Sequence, residues 1–241
     1  MNQARDEEQA MFEEYQNGKP LPLEPGDRLS RPEFERRYDA MPKLRKAELI
    51  EGVVFMPSPT RYKRHGRPDR HLGTWMGVYE AGTPGVLGAS NATIRLDLDN
   101  EPQPDDALFI DPACGGQARI SADDYIELAP ELVGEISAST ASIDLNLKFH
   151  VYRRNGVREY IVWRVLENAI DWFVLRDAQF ERLAPGADGI FRSEVLPGLW
   201  LDAAALLRGD MQRVLQVLQE GIGTPDHAAF VARLAAVAAK S

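Results

Sequence analysis

Cysteine and long apolar runs are both scarce in this 241-residue sequence. Cys114 is the only cysteine, so a disulfide scaffold within the chain is excluded. No window approaches the roughly 18 uncharged apolar residues of a membrane-spanning helix, which argues against an integral membrane protein or a membrane partner. The acidic start, MNQARDEEQAMFEEY, lacks the basic and then apolar layout of a secretory signal, so we expect a cytoplasmic protein.

Positive charge is also in short supply. Lys and Arg number 28 against 37 Asp and Glu, which gives a net charge of −9. Proteins that bind nucleic acid chiefly by neutralising its phosphates are usually basic. The composition therefore argues against an avid, non-specific nucleic-acid binder. It does not exclude a nuclease that contacts its substrate through a local patch or a bound cation.

Several common catalytic motifs are missing. One cysteine and four scattered histidines supply neither a Cys-rich zinc site nor an H-E-x-x-H helix. The sequence has no G-x-S-x-G elbow, no Walker loop and no G-x-G-x-x-G. We predict that each histidine is a surface or packing residue rather than a ligand; these are His65, His71, His150 and His227.

Composition and apolar spacing divide the chain into three parts. Residues 1–29 are predicted to form an acidic arm and a Pro- and Gly-rich linker, residues 30–207 a mixed α/β domain, and residues 208–241 a C-terminal helical extension. Because most strands follow one another directly, we expect a largely antiparallel or mixed sheet. The apolar spacing predicts helices over 30–41, 67–81, 143–154, 202–221 and 224–241, hairpins over 47–56 and 157–175, strands over 86–89, 92–98, 106–110 and 131–137, and a strand pair around Phe180 and Phe191.

The residues that could carry chemistry are carboxylates and one lysine on neighbouring elements. QPDDALFI, from Gln103, places an acid at the mouth of an apolar strand. VGEIS, from Val133, places Glu135 inside another apolar strand, where a carboxylate is costly unless it is paired or binds a metal. Asp144 and Lys148 lie four apart on the next predicted helix and share a face. Two converging carboxylates beside a lysine can hold a divalent cation and polarise a water for attack on phosphorus.

Each of these signals has a simpler interpretation. Asp105 and Asp106 could merely end a loop, and Asp144 with Lys148 could be an exposed i,i+4 pair. A purely structural role explains Glu135 least well, because the sequence of its strand otherwise predicts burial. The basic cluster from Arg61 to Arg67, with Arg70, could contact phosphates or could be a solvated face. Trp163 and Trp172 belong to a predicted hairpin and are expected to pack in the core. Glu51 is expected to serve a turn.

An ordered series of motifs makes the sequence similar to a known family. The series is AELIEGV from Ala47, QPDD from Gln103, LVGEISAST from Leu132, DLNLK from Asp144, YRRNGVREYIVW from Tyr152 and PGLWLDAAALL from Pro197. In order and wording it resembles the Uma-type restriction-endonuclease-like family, a bacterial branch of the PD-(D/E)XK nuclease superfamily. The resemblance covers about residues 30–207.

The resemblance implies a restriction-endonuclease-like mixed sheet flanked by helices, with Mg²⁺ or Mn²⁺ at the sheet edge. By position, Asp105 is the acid of the Pro-Asp motif and Glu135 is the (D/E) residue. The backbone carbonyl of Ile136 is an implied third metal ligand. Ser137 stands at the usual lysine position, and Lys148 on the next helix takes over that role. Glu48 matches an early acidic position and is expected to complete the catalytic set.

Two functions from different classes follow. The first is a metal-dependent endonuclease that hydrolyses phosphodiester bonds of nucleic acid, with DNA the expected substrate. The second is a weakly active or inactive nuclease-fold protein that acts as a dimeric adaptor, because a fold alone does not establish an activity. A homodimer is expected in either case, since the 157–175 hairpin and the C-terminal helix carry more apolar residues than one sheet face needs.

Overall fold

The computed structural model describes residues 19–56, 61–138, 140 and 142–240. The predicted acidic arm, residues 1–16, lies outside the described residues. The described chain forms two compact units. The first contains residues up to 56 together with 97–101, and the second contains residues 61–96 together with 102–240. In the part of the chain that is described, no helix has the length and apolarity needed to span a membrane.

Among its described residues, the first unit contains one helix and one hairpin, both of which confirm the sequence prediction. Helix α1 is Arg31–Asp39, with Pro32 in its first turn, where a missing N–H does no harm. Strands β1 (Glu48–Ile50) and β2 (Val53–Phe55) pair antiparallel. Glu51 and Gly52 have φ of 53° and 68° and form the turn between these strands. Leu23, Phe34, Ala47, Leu49 and Val54 form the buried core of this unit.

The second unit is larger and holds a six-stranded, a three-stranded and a two-stranded sheet. Its elements in chain order are α2 (Arg67–Gly82), β3 (Val86–Ser90), β4 (Ile94–Arg95), β5 (Asp106–Ile110), β6 (Arg119–Ile120), β7 (Ile126–Glu127), β8 (Leu132–Ser137), α3 (Phe149–Asn155), β9 (Glu159–Arg164), β10 (Ala169–Arg176), β11 (Gln179–Arg182), β12 (Ile190–Arg192), β13 (Trp200–Asp202), α4 (Ala203–Arg208), α5 (Met211–Ile222) and α6 (Pro225–Ala238). Short π-helical segments, Tyr62–Gly66 and Ile143–Lys148, lead directly into α2 and α3.

A six-stranded mixed sheet organises this unit. Its order is β11-β10-β9-β8-β5-β3. Strands β8 and β9 are parallel, and the other neighbours are antiparallel. A parallel pair needs a crossover connection, and here α3 is that crossover. The predicted class, a mixed α/β domain with flanking helices and extra C-terminal helices, is confirmed.

Helix α2 covers one face of the sheet. Leu72, Trp75, Met76 and Tyr79 are buried along it, as the helical spacing predicts. The Trp75 indole N–H donates to the carbonyl of Trp200 at 2.9 Å, and the Tyr79 hydroxyl donates to that of Pro197 at 2.9 Å. These bonds attach the PGLW segment to the helix. Trp163 and Trp172 lie in the same core, as expected.

The structure corrects two predicted elements. The strands around Phe180 and Phe191 do not pair with each other: β11 pairs with β10, and β12 pairs with β13. The reason is the tight turn at Asp177 and Ala178, both with positive φ, which returns the chain directly onto β10.

The predicted helix over 202–221 is in fact two helices. Gly209 adopts a left-handed conformation that ends α4. Asp210 then caps α5 by accepting from the amide of Arg213 at 3.1 Å.

Candidate active site

The acid of the Pro-Asp motif is fixed against the neighbouring strand. Asp105 immediately precedes β5, and its Oδ2 accepts from the amide of Ile136 in β8 at 2.7 Å. The strand register pairs Asp106 with Gly134, so Asp105 and Glu135 occupy adjoining positions of the two strands. Asp105 and Asp106 are only 3% and 4% exposed. These residues therefore do more than end a loop.

Glu135 lies in the middle of β8, where every residue is buried. Its Oε1 accepts from the Lys148 ammonium at 2.9 Å and from the Tyr152 hydroxyl at 2.8 Å. Glu135 and Lys148 are each 4% exposed. The interpretation of Lys148 as part of an exposed helical pair is therefore wrong, because its ammonium is buried against the strand acid.

The crossover between β8 and β9 supplies the lysine. Lys148 ends the π-helical segment, and Tyr152 follows four residues later on the same helical face. Asp144, also buried, accepts from the Thr140 hydroxyl at 2.5 Å, while its backbone carbonyl accepts from the Tyr160 hydroxyl at 3.0 Å. Sequence reasoning missed Tyr152, although its i+4 spacing from Lys148 was a usable signal.

Two further groups approach Asp105 from the start of α2. The Nε2 atom of His65 lies 3.1 Å from Asp105 Oδ1. Ligand atoms of His65, Asp69 and Asp105 all lie within 4.8 Å of one another. His65, which the sequence predicts to be a surface or packing residue, thus lies among side chains that could hold a metal ion. The signal available in the sequence was the i,i+4 spacing of His65 and Asp69.

The surroundings of Asp106 disfavour a negatively charged carboxylate. Burial, followed by the nearby carboxylates of Asp69 and Asp105, raises the pKa of Asp106 to about 8. Its Oδ2 is buried without a hydrogen-bond partner among the described residues. A side-chain carbon at Gly73 would lie 3.0 Å from Asp106 Oδ1, so glycine there leaves room for the carboxyl group. Added positive charge would be favourable at this position.

Ser137 stands two residues beyond Glu135 and therefore on the same face of β8. It is fully buried, and its Oγ has no hydrogen-bond partner within the described ranges. The positive charge that would stand here in the superfamily pattern comes instead from Lys148, which reaches Glu135 from the crossover helix.

Two other predicted site residues stay predictions. Glu48 lies in the first unit, on β1, and is 7% exposed. The burial of Glu48 does not show whether it takes part in catalysis. The amide of Ile136 is bonded to Asp105, and the use of its carbonyl as a metal ligand also stays a prediction.

The donor set suits a hard or borderline divalent cation. Carboxylate and carbonyl oxygens are the ligands preferred by Mg²⁺ and Mn²⁺, and an imidazole adds affinity for transition metals. Asp106 Oδ2 is buried without a hydrogen-bond partner among the described residues, near the carboxylates of Asp69 and Asp105. The residues present therefore fit a metal ion of this kind.

Comparison with known proteins gives the chain its family. A crystal structure of a protein from Anabaena variabilis, titled a "putative nuclease belonging to DUF820", is 15% identical, with a TM-score of 0.49; the alignment covers 70% of this chain and 97% of that one. Among curated proteins, none matches the chain. The Uma2 family, described as "Putative restriction endonuclease", matches residues 31–204. The chain belongs to the Uma2 family of restriction-endonuclease-like proteins.

Proposed function

We propose that this protein is a metal-dependent endonuclease that hydrolyses phosphodiester bonds of nucleic acid, with DNA the expected substrate. One observation carries the proposal: the Lys148 ammonium lies 2.9 Å from Glu135 Oε1, next to the strand that bears Asp105. This contact brings together an acid and a lysine of the kind the nuclease superfamily uses, even though Ser137 stands at the usual lysine position. Membership of the Uma2 family supports the same reaction class.

Asp105, Glu135 and the Ile136 carbonyl are the proposed metal ligands. His65 and Asp69 are placed to add a ligand beside Asp105. A bound Mg²⁺ or Mn²⁺ would supply Lewis-acid stabilisation of charge on the phosphate. We propose that Glu48 also belongs to the catalytic set.

Lys148 has a separate role from the ligands. As a cation it is no metal ligand, and it can stabilise the negative charge that develops on the phosphate during attack. Tyr152 donates to the same Glu135 oxygen as Lys148, so it helps to orient the carboxylate. We therefore expect a lysine substitution to lower the rate more than it weakens metal binding.

Charge makes the cation a requirement in this proposal. The phosphodiester approaches the buried carboxylates Asp105 and Glu135 on a protein of net charge −9. Like charges at short range disfavour binding, most strongly where water is excluded. A divalent cation offsets this repulsion.

The test is cleavage of supercoiled plasmid and of a labelled single strand, with Mg²⁺ or Mn²⁺ and with EDTA. Glu135→Gln should abolish cleavage, and so should Asp105→Asn, which keeps the Glu135–Lys148 pair. Glu220→Gln makes the same change of charge at an exposed site on α5 and should cleave like the wild type. Tryptophan fluorescence shows whether each variant is folded.

Activity that persists in EDTA, or in folded Glu135→Gln, would refute the metal-dependent mechanism. A metal-induced rise in the melting temperature of the wild type, without cleavage of any nucleic acid, would instead support the adaptor function.

A further inference from the structure

A second, cationic pocket lies beside the start of α2. Its cavity volume is about 140 Å³. The polar groups that line it belong to Lys63, Arg67, His71, Asn168 and Arg208. None of its lining residues is acidic, although acidic residues outnumber basic ones in the whole chain. The pocket therefore differs in sign from the carboxylate site.

The cationic side chains of this pocket are not neutralised by acidic groups of the described residues. Within the described part of the chain, Lys63, Arg67 and Arg208 have no ion-pair partner. The Arg67 guanidinium lies against Gly209, where a side-chain carbon would come within 2.9 Å of its Nη2. Burial, and then the charge of Arg67, lowers the pKa of His71. Unpaired cations that converge on one cavity create a positive potential that attracts an anion.

The pocket and the carboxylate site share one helical segment. Lys63, Arg67 and His71 follow one another at intervals of four residues, and so share a face. His65 and Asp69, two residues further along, are turned by about 200° and face Asp105. A helix with its side chains is about 10–12 Å across, so the pocket and the carboxylate site lie on opposite faces of a segment of that width.

We propose that this cationic pocket binds a phosphate group of the nucleic-acid strand other than the one at the bond to be cleaved. The inference rests on the proposed nuclease function for the identity of the strand. Arginine suits this task because its planar guanidinium can donate two parallel hydrogen bonds to phosphate oxygens. Trp163, at 5% exposed, forms the floor of the pocket and presents too little surface for a base to stack on.

This pocket explains how a protein of net negative charge could bind a polyanionic nucleic acid. The protein needs no broadly basic surface if a few unpaired cations bind a phosphate next to the carboxylates. It also assigns separate roles within the basic cluster noted in the sequence: Lys63 and Arg67 bind phosphate, while His65 faces Asp105.

The experiment measures binding of a fluorescein-labelled 16-mer single strand by anisotropy in Ca²⁺, and gel electrophoresis checks that the recovered strand is intact. The strand carries either a 5′-phosphate or a 5′-hydroxyl. The double variant Lys63→Gln/Arg67→Gln should bind at least 10-fold more weakly and show a salt dependence smaller by about one ion. Arg233→Gln removes a cation from the exposed face of α6 and should change the affinity less than twofold. Both pocket side chains are exposed, so the variant is expected to fold.

A third measurement uses inorganic phosphate alone, which should raise the melting temperature of the wild type but not of the double variant. An equal loss of affinity with both strands would assign the pocket to an internal phosphate. A loss confined to the phosphorylated strand would assign it to a strand end; either result supports the pocket. The proposal would be overturned if the double variant bound the strand as tightly as the wild type, or lost no more affinity than Arg233→Gln does. This holds even if inorganic phosphate binds to the wild type. Pocket-dependent binding by a wild type that never cleaves would refute the nuclease and leave the pocket standing.

Discussion

The buried pair of Lys148 and Glu135 predicts a large loss of stability when the lysine alone is removed. Each residue is 4% exposed, and the two charges are 2.9 Å apart. Removing one partner of a buried pair leaves an uncompensated charge, which typically costs about 3–5 kcal/mol. Lys148→Met keeps an unbranched side chain that is one atom shorter, and it removes the charge and its hydrogen bond.

The Tyr152 hydroxyl determines whether the loss of stability lies near the lower or the upper end of this range. It still donates to Glu135 Oε1 at 2.8 Å after the lysine is removed. A hydrogen bond to a charged group contributes about 1.5–3 kcal/mol, so the remaining carboxylate is partly stabilised. We therefore expect Lys148→Met to lower the free energy of unfolding by about 3 kcal/mol.

Urea unfolding followed by tryptophan fluorescence measures this loss. All four tryptophans, Trp75, Trp163, Trp172 and Trp200, lie in the second unit, so the signal reports the unit that contains the pair. Glu135→Gln in the Lys148→Met background should recover at least about 1 kcal/mol relative to the sum of the single changes, because the two residues are coupled. Saturating Mn²⁺ should restore part of the loss in Lys148→Met, since a bound cation compensates the same carboxylates.

An exposed ion pair provides the control. Arg119 lies 2.7 Å from Glu127, but the arginine side chain is 64% exposed. Arg119→Met should therefore cost less than about 1 kcal/mol. If Lys148→Met cost no more than Arg119→Met, or if the double variant showed no coupling, the inference of a buried charge pair would be wrong.

Three further predictions concern pH, catalysis and assembly. Burial raises the pKa of Glu159 to about 7, so the stability it contributes below its unfolded pKa of about 4.5 should be lost as pH rises through 7. The difference in unfolding free energy between wild type and Glu159→Gln should therefore change by about 3 kcal/mol between pH of about 4.5 and 7. A difference that does not depend on pH would contradict this prediction. Glu48→Gln should slow cleavage at least 10-fold, roughly the contribution of one positioned carboxylate, while a wild-type rate would remove Glu48 from the catalytic set. Light scattering at micromolar concentration should give the mass of two chains, and a single-chain mass would count against the homodimer.

Local elements of the fold could be predicted from the sequence because their signals lie in consecutive residues. The apolar spacing in α2 and the Glu51–Gly52 turn each depend on neighbours a few positions away. The same holds for Glu135, whose carboxyl group inside an apolar strand already indicated a partner or a metal. The order of the motifs added the family, and with it the proposed role of Lys148.

The tertiary structure decided which distant groups meet. His65 approaches Asp105 across 40 positions of sequence, and Tyr152 joins Glu135 through the β8–α3 crossover. Periodicity shows which face of an element is buried, but it carries no information on which element covers that face. The same limit explains the incorrect pairing of the strands around Phe180 and Phe191, and the division of one basic run between two sites. Sheet register and crossover geometry bring these residues together, and both are properties of the whole packed unit rather than of any short segment.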